Sequence, residues 1–167
     1  MTGLSRTLVQ ILLIAGCVFF ANCIFDEYYK RFDLTENKEY TLAPISKSTL
    51  ANLKDICTAR YFISKKIPET YINTSKEIKD MLGEFRANSH GKFRVEILEI
   101  EEGDSELRDM AARLGLSKMR GGSMSSESMS LMDFYSGIAI IYGAKQDTIM
   151  SISNTSRLEY DITTRIK

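Results

Sequence analysis

The sequence predicts a transmembrane helix followed by a mixed α/β domain, and three observations lead to this fold class. Residues 7–25 contain no charged side chain. Residues 58–63 and 93–97 have the two-residue period of β-strands, whereas residues 78–85 and 107–114 repeat apolar side chains at the spacing of an amphipathic helix. Strands that alternate with helices along a chain predict a sheet covered by helices.

The composition fits one folded domain behind the anchor. The chain has 167 residues, of which 44% are hydrophobic and 26% charged. About 140 residues follow the anchor, the usual size of a single domain. The 22 basic residues equal the 22 acidic residues, so the sequence has no basic excess for nucleic-acid binding.

The uncharged amino-terminal run has the length of a membrane span. A helix of residues 7–25 would extend about 28 Å, close to the hydrocarbon thickness of a bilayer. We therefore expect residues 1–25 to anchor the chain once in the cytoplasmic (inner) membrane, with the lipid bilayer as a partner. Arg6 precedes the run and Lys30 and Arg31 follow it, so the charges do not decide the orientation. The short amino terminus favours an extracytoplasmic domain.

The segment Ile14-Ala15-Gly16-Cys17 offers an alternative to the uncut anchor, because it resembles a bacterial lipobox. In that case Cys17 would be acylated and would become the new amino terminus. The hydrophobic run continues through residues 18–21, past the cleavage point, which favours the anchor. Lipidation of Cys17 stays the alternative reading.

Eight elements are predicted between residues 44 and 166. In chain order they are a helix from Pro44, a strand at 58–63, a helix after Pro68 that ends at 88–91, a strand at 93–100, a helix from Asp104 or Ser105 to Gly115, strands at 134–142 and 148–152, and a helix from Ser156. This order is typical of a thioredoxin-like mixed sheet. The second helix begins either just after Pro68 or at a capping box of Thr74 and Glu77.

Two regions leave their structure open. Residues 117–132 are rich in Ser, Met and Gly and fit either a hairpin or a mobile loop. The methionines of this region either form a contact surface or are partly buried in a hairpin. The last helix has a capping box of Ser156 and Glu159 and no C-terminal cap. Its apolar stripe predicts a docking partner or further chain. We therefore divide the chain into the anchor 1–25, a juxtamembrane segment 26–43, an α/β domain 44–155, and a helix start at 156–167 whose downstream region is absent.

Catalytic and metal-binding motifs are missing from the sequence. Thioredoxin-like enzymes carry a reactive thiol pair at the start of the first core helix, where this chain has residues 64–68, Ser-Lys-Lys-Ile-Pro. Cys17 and Cys23 lie in the anchor, and Cys57 and His90 have no partner at ligand spacing. There is neither a phosphate-binding loop nor a Gly-x-Ser-x-Gly elbow. We therefore expect no enzyme activity, no metal and no cofactor.

Four segments carry a resemblance to a known family. Residues 31–42 read Arg-Phe-Asp-Leu-Thr-Glu-Asn-Lys-Glu-Tyr-Thr-Leu, and residues 91–96, 135–143 and 158–163 agree further. Together they resemble the GldG family, auxiliary components of ABC transporters associated with gliding motility, over about residues 7–166. The chain departs from the family at Ala43, where a capping Ser is usual, and in lacking the long region that follows the last segment.

The resemblance implies a non-catalytic subunit that binds an ABC permease and its ATPase. It makes the juxtamembrane segment a candidate contact, through Arg31, Asp33, Leu34, Thr35 and Tyr40. The alternative is a linker in which Asp33 and Thr35 form local turn hydrogen bonds. A second class of function is a stand-alone envelope lipoprotein or anchored domain that captures a small ligand.

Overall fold

The computed structural model describes residues 9–17, 20, 41–125 and 128–167, with the backbone alone at 123–125 and 128–130. The chain divides into two compact units, Met1–Leu34 and Thr35–Lys167. In the first unit, residues 9–17 are helical. Residues 7, 8, 18, 19 and 21–25 of the predicted anchor lie outside the described residues. In the part of the chain that is described, no helix combines the length and the apolar character required to cross a membrane.

The described residues of the second unit form four α-helices, five strands and a short 3-10 turn at Glu69–Tyr71. In chain order the elements are α1 Pro44–Ala51, β1 Cys57–Ser64, α2 Ile72–Ala87, β2 Phe93–Ile100, α3 Ser105–Arg113, β3 Lys118–Ser125, β4 Ser128–Tyr142, β5 Lys145–Ile149 and α4 Leu158–Arg165.

The five strands form one mixed sheet, which confirms the predicted α/β class. Strand β1 pairs in parallel with β2 on one side and antiparallel with β4 on the other. The long strand β4 pairs antiparallel with β3 along its first half and with β5 along its second half. A parallel pair needs a crossover connection, which α2 provides between β1 and β2.

One face of the sheet carries the larger core, beneath α1, α2 and α4. Tyr61 and Ile138 of the strands pack there with Leu82 of α2 and Ile162 of α4, all fully buried. The apolar stripe of α4 therefore packs on the chain's own sheet. The prediction that this stripe docks on a partner is wrong, because the core between α1 and α2 already accepts it.

The opposite face of the sheet is covered by α3. Phe62, Ile100 and Ala139 of three neighbouring strands form a smaller core with Ala111 of α3 and Leu116 just after it. The start of α3 is as predicted, since the Asp104 carboxylate accepts a hydrogen bond from the Leu107 N–H at 3.0 Å. Gly115 ends the helix with a φ of 76°.

The predicted capping box of Ser156 and Glu159 is wrong, and of the two starts left open for the second helix the structure rejects the box of Thr74 and Glu77. In both places the carboxylate accepts a hydrogen bond from a distant residue. Helix α2 begins at Ile72, directly after the 3-10 turn, so Thr74 lies inside it. The Glu77 carboxylate accepts instead from the Thr155 hydroxyl at 2.7 Å. Likewise the Glu159 carboxylate accepts from the Ala43 N–H at 2.7 Å, at the uncapped start of α1.

Residues 118–125 and 128–132 lie in the paired antiparallel strands β3 and β4, so the structure chooses the hairpin of the two alternatives. Strand β4 consequently begins at Ser128, earlier than the apolar run from 134 indicates. Met119 is partly buried against the larger core. Strand β5 was predicted at 148–152 but spans Lys145–Ile149, because the turn occupies only Gly143 and Ala144.

A buried hydrogen-bond network lies beneath the centre of the sheet. The Ser136 hydroxyl is 3.0 Å from the Tyr61 hydroxyl and 2.7 Å from the Tyr71 hydroxyl. Tyr71 donates to the carbonyl of Ile152, and the Ile152 N–H donates to the Ser136 carbonyl at 2.9 Å. The network ties the 3-10 turn and the chain after β5 to β4.

We expect Ser136→Ala to lower the free energy of unfolding by about 1–3 kcal/mol, because it removes the shared partner of two buried hydroxyls. Urea denaturation of the variant measures the loss. Ser151→Ala at an exposed position is the control and should change little. An unchanged unfolding midpoint for Ser136→Ala would show that the network contributes no stability.

Candidate functional site

A cleft of about 460 Å³ opens at the carboxyl ends of β1 and β2. Its volume lies in the range of ligand pockets, and open α/β sheets bind ligands at the carboxyl ends of their strands. The cleft is lined by residues from the strand ends, α3 and the β3–β4 hairpin: Ser64, Lys65, Lys66, Ile100, Glu101, Glu102, Gly103, Arg108, Lys118, Met132, Asp133 and Tyr135.

The floor of the cleft is a row of residues across four strands. Ile100 of β2 pairs with Ser64 of β1, and Tyr135 of β4 pairs with Lys118 of β3. The Tyr135 N–H donates to the Ser64 hydroxyl at 2.9 Å and joins the two pairs. Because side chains alternate along a strand, Ser64 lies on the same face as Phe62, the face that α3 covers.

Two consecutive ion pairs line the wall where β1 and β2 end. The Lys65 ammonium is 2.6 Å from the Glu101 carboxylate, and the Lys66 ammonium is 3.0 Å from the Glu102 carboxylate. The hydrogen bond to Glu101 raises the pKa of Lys65 above its usual range. All four side chains are well exposed, so each pair contributes little to stability. The pairs place positive and negative charges side by side along the cleft.

The hairpin wall carries a third ion pair. The Arg120 guanidinium is 2.9 Å from the Asp133 carboxylate. This hydrogen bond holds the pKa of Asp133 below its usual range, and the nearby Lys118 ammonium acts in the same direction. Asp133 is therefore ionised at neutral pH.

Two further cations face the cleft without an ion-pair partner among the described residues. The Arg108 Nε–H donates to the Asp104 carbonyl at 2.9 Å. The Lys118 ammonium lies 5.6 Å from the centre of the Tyr135 ring, within the range of a cation–π contact. Four basic and three acidic side chains line the cleft, which leaves it with one net positive charge.

Among the residues described, the cleft contains no activated nucleophile. The Ser64 hydroxyl accepts a backbone hydrogen bond, and the shifted pKa values of Lys65 and Asp133 both move away from neutrality. Proton transfer at pH 7 would require a pKa near that pH. Within the described residues, no cluster of His, Cys, Asp or Glu could hold a metal ion.

Cys57 begins β1, at the end of the strand opposite Ser64. Its side chain is fully buried, and this burial raises the pKa of the thiol to about 12. The thiolate, which is the reactive form, is therefore suppressed in the folded protein. Cys57 belongs to the core and not to the cleft.

We expect the buried Cys57 thiol to make stability fall as the pH rises from about 9 to about 12. Above pH 9 the unfolded chain releases the thiol proton that the folded chain retains, so unfolding becomes more favourable. Urea midpoints at a series of alkaline pH values measure this. In Cys57→Ala the decline should be shallower by up to about 1.4 kcal/mol per pH unit. Tyr71, whose pKa burial raises to about 12, contributes to the decline that persists in this variant. Equal slopes for the two proteins would contradict the expectation.

The predicted contact residues Arg31, Asp33, Leu34, Thr35 and Tyr40 lie outside the described residues, so their role stays a prediction. Cys17 is exposed at the end of the helical stretch 9–17, and its lipidation is likewise a prediction. His90 is exposed in the turn between α2 and β2, with a φ of 52°.

The sequence reasoning missed the cleft, although a signal for it was present. Glu101-Glu102 directly follows the predicted strand 93–100, and Lys65-Lys66 follows the predicted strand 58–63 after one intervening residue. Strands joined by a single helix run parallel when they are neighbours, so these two charged pairs meet at one edge of the sheet. Arg108 and Lys118 carried no such signal, because the packing of α3 and the hairpin brings them to the same cleft.

Side chains of the segments 91–96, 135–143 and 158–163 hold the fold together. The Lys92 ammonium donates to the Leu53 carbonyl at 2.6 Å, Ser136 is the centre of the buried network, and Glu159 binds the start of α1.

Comparison with known proteins places most of the second unit in a recognised domain family. A family model described as Domain of unknown function (DUF7088) matches residues 36–141, which include the whole cleft. An uncharacterized protein of Borreliella burgdorferi is 22% identical over 162 residues, covering 97% of this chain and 31% of the relative. The chain thus spans about a third of that curated relative's length. No solved structure matches the chain significantly.

Proposed function

This chain belongs to the DUF7088 family, and from that premise we propose that it is a non-catalytic, membrane-anchored interaction module, an auxiliary subunit of an ABC-type transport system similar to the gliding-motility component. The observation that carries the binding role is the cleft at the strand ends, with its fixed charges and no activated nucleophile. The permease and the ATPase are proposed as partners because of the resemblance to the gliding-motility component, which is carried by residues 31–42, 91–96, 135–143 and 158–163.

A thioredoxin-like fold is part of this proposal. The parallel pair β1–β2, the antiparallel strands β4 and β5, and the helices on both faces support it. In such a fold the end of β1 is the place of the reactive thiols, and here the same place holds Ser64, Lys65 and Lys66. A scaffold that keeps the cleft without the thiols is suited to binding.

The proposal places the domain beside the cytoplasmic membrane, on its outer side. It rests on the uncharged run 7–25 and the short segment ahead of it. In this arrangement the juxtamembrane segment 26–43 is a second contact with the permease, through the side chains of Arg31 and Tyr40 among others.

A pull-down from native membranes tests the proposed function. The full chain, tagged at its carboxyl terminus, is extracted in mild detergent, and the proteins retained after a salt wash are identified by mass spectrometry. We expect a permease with several membrane spans and an ATPase. The double variant Lys65→Glu/Lys66→Glu should recover less of both, because it reverses two charges at the cleft.

Lys47→Glu/Lys54→Glu is the matched control, since it makes the same charge change in and after α1, away from the cleft lining. Recovery of neither transporter subunit, while the wild-type chain still fractionates with membranes, would contradict the auxiliary role. Equal recovery by both double variants would contradict the part assigned to the cleft.

The lipobox-like segment favours a second candidate, an envelope lipoprotein with an anchored ligand-binding domain. Cys17 is exposed, as an acylated residue would have to be. The intact mass of the protein from membranes decides between the two. Loss of residues 1–16 together with added acyl chains supports the lipoprotein, whereas a chain that retains Met1 excludes it.

A further inference from the structure

The charges of the cleft point to a specific class of ligand. Each of the three lining carboxylates, Glu101, Glu102 and Asp133, is within 3.0 Å of a cation. Arg108 and Lys118 have no carboxylate at ion-pair distance among the described residues. A ligand that complements the cleft therefore brings negative charge to these two cations.

Arg108 is prepared to receive an oxyanion. Its side chain is half-buried, and the bond from its Nε to the Asp104 carbonyl orients the guanidinium group. A guanidinium has five N–H donors in a fixed plane, so this bond leaves donors that match the two oxygens of a carboxylate. Lys118, held over the Tyr135 ring, supplies a second positive charge at the floor.

The carboxylates of the walls limit how much negative charge the ligand can carry. Asp133 interacts electrostatically with the Lys118 ammonium as well as with Arg120, so Arg108 and Lys118 together offer a ligand less than two uncompensated positive charges. A single carboxylate therefore suits the cleft better than a doubly charged phosphate monoester, which Glu101, Glu102 and Asp133 would repel. The half-buried ring of Tyr135, on the face of the sheet that α3 covers, offers apolar surface beside the cations. The complementary ligand thus combines one carboxylate with an apolar group.

We propose that the cleft binds a protein segment that presents one carboxylate beside an apolar side chain, with Arg108 and Lys118 contacting the carboxylate and the Tyr135 ring contacting the apolar group. This rests on the binding role proposed above for the cleft and names the chemistry of the partner. A protein segment is favoured over a free metabolite because the proposed role is a contact with transporter subunits.

Three small probes with the same apolar group test the site on the full chain in detergent micelles. They are N-acetylphenylalanine, its neutral amide and phenyl phosphate, each titrated to tens of millimolar while amide chemical shifts are followed by NMR. We expect N-acetylphenylalanine to shift the amides of Ser64, Lys118 and Tyr135 saturably and to bind at least about fivefold more tightly than the other two probes.

Alanine variants connect the binding to the two cations. Arg108→Ala and Lys118→Ala should each weaken N-acetylphenylalanine about fivefold or more. The controls Arg113→Ala, in the same helix, and Lys145→Ala, at the start of β5, should leave its affinity unchanged, because neither residue lines the cleft. Circular dichroism of each variant establishes that the fold is retained.

The proposal is overturned if no probe gives saturable shifts, if the neutral amide binds as tightly as the acid, or if phenyl phosphate binds more tightly. Equal effects of the cation variants and their controls overturn the assignment to Arg108 and Lys118. The proposed function fails separately. If the probe binds but no transporter subunit is recovered, the ligand site is supported and the transport role is contradicted. If transporter subunits are recovered equally by the wild type and by Arg108→Ala/Lys118→Ala, the transport role is supported and the part assigned to the site is contradicted.

Discussion

Gly137→Ala is expected to destabilise the domain by about 3–5 kcal/mol, a large share of the stability of an ordinary domain. A β-carbon at position 137 would lie 2.7 Å from the Ile149 carbonyl oxygen, 2.8 Å from the Met150 carbonyl oxygen, and against the Leu116 side chain. Two of the three contacts are backbone atoms at the end of β5, which cannot move without breaking the pairing of β4 and β5. Urea denaturation of the variant measures the loss.

Gly83→Ala provides the opposite expectation as a control. Gly83 lies inside α2, and a β-carbon there meets no atom within 4 Å. Alanine has the higher helix propensity and restricts the unfolded chain, so the free energy of unfolding should rise by about 0.5–1 kcal/mol. A Gly137→Ala protein as stable as the wild type would show that β4 and β5 can separate at little cost.

Phe62→Ala is expected to cost about 3–5 kcal/mol and to loosen α3. Phe62 is fully buried and is the largest side chain of the smaller core, which it forms with Ile100, Ala111, Leu116 and Ala139. Alanine leaves a cavity in this core, directly beneath α3, whose Leu107 and Met110 also pack against it. Because α3 carries Arg108, the loss should also reach the cleft. Urea denaturation gives the cost, and hydrogen exchange should show α3 amides losing more protection than those of α2.

Ile97→Ala in the neighbouring strand is the control for Phe62→Ala. Ile97 is 44% exposed, so its truncation removes little buried surface and should change stability by less than about 1 kcal/mol. Uniform loss of exchange protection across α2 and α3 in Phe62→Ala would contradict a local role of this side chain.

Local patterns were enough to predict most elements of the domain. The alternation in β1 and β2 and the helical spacing in α2 and α3 placed these elements within a few residues of their observed bounds. These patterns arise because one side of each helix or strand faces a core and carries apolar residues. The spacing of those residues shows in the sequence even when the elements that pack against them are unknown. Asp104 likewise capped α3 as predicted, because its acceptor and the Leu107 N–H are three residues apart.

Contacts between residues far apart in the sequence decided the features that local patterns left open or predicted wrongly. Glu77 and Glu159 stand at capping-box spacing, yet each accepts from a donor far along the chain, at Thr155 and Ala43. The sequence of residues 117–132 has no clear period, and the hairpin is defined by the antiparallel pairing of β3 with β4.

By itself the sequence determined the α/β class, the order of the elements other than β3 and the uncharged segment at the amino terminus, since these depend on the spacing of neighbouring residues. The tertiary structure decided the burial of α4 on its own sheet, the close approach at Gly137 and the cleft. Arg108 and Lys118 face one cleft only because α3 packs over β1 and β3 pairs with β4. A cleft whose residues come from separate elements has no period along the chain, so packing alone brings its charges together.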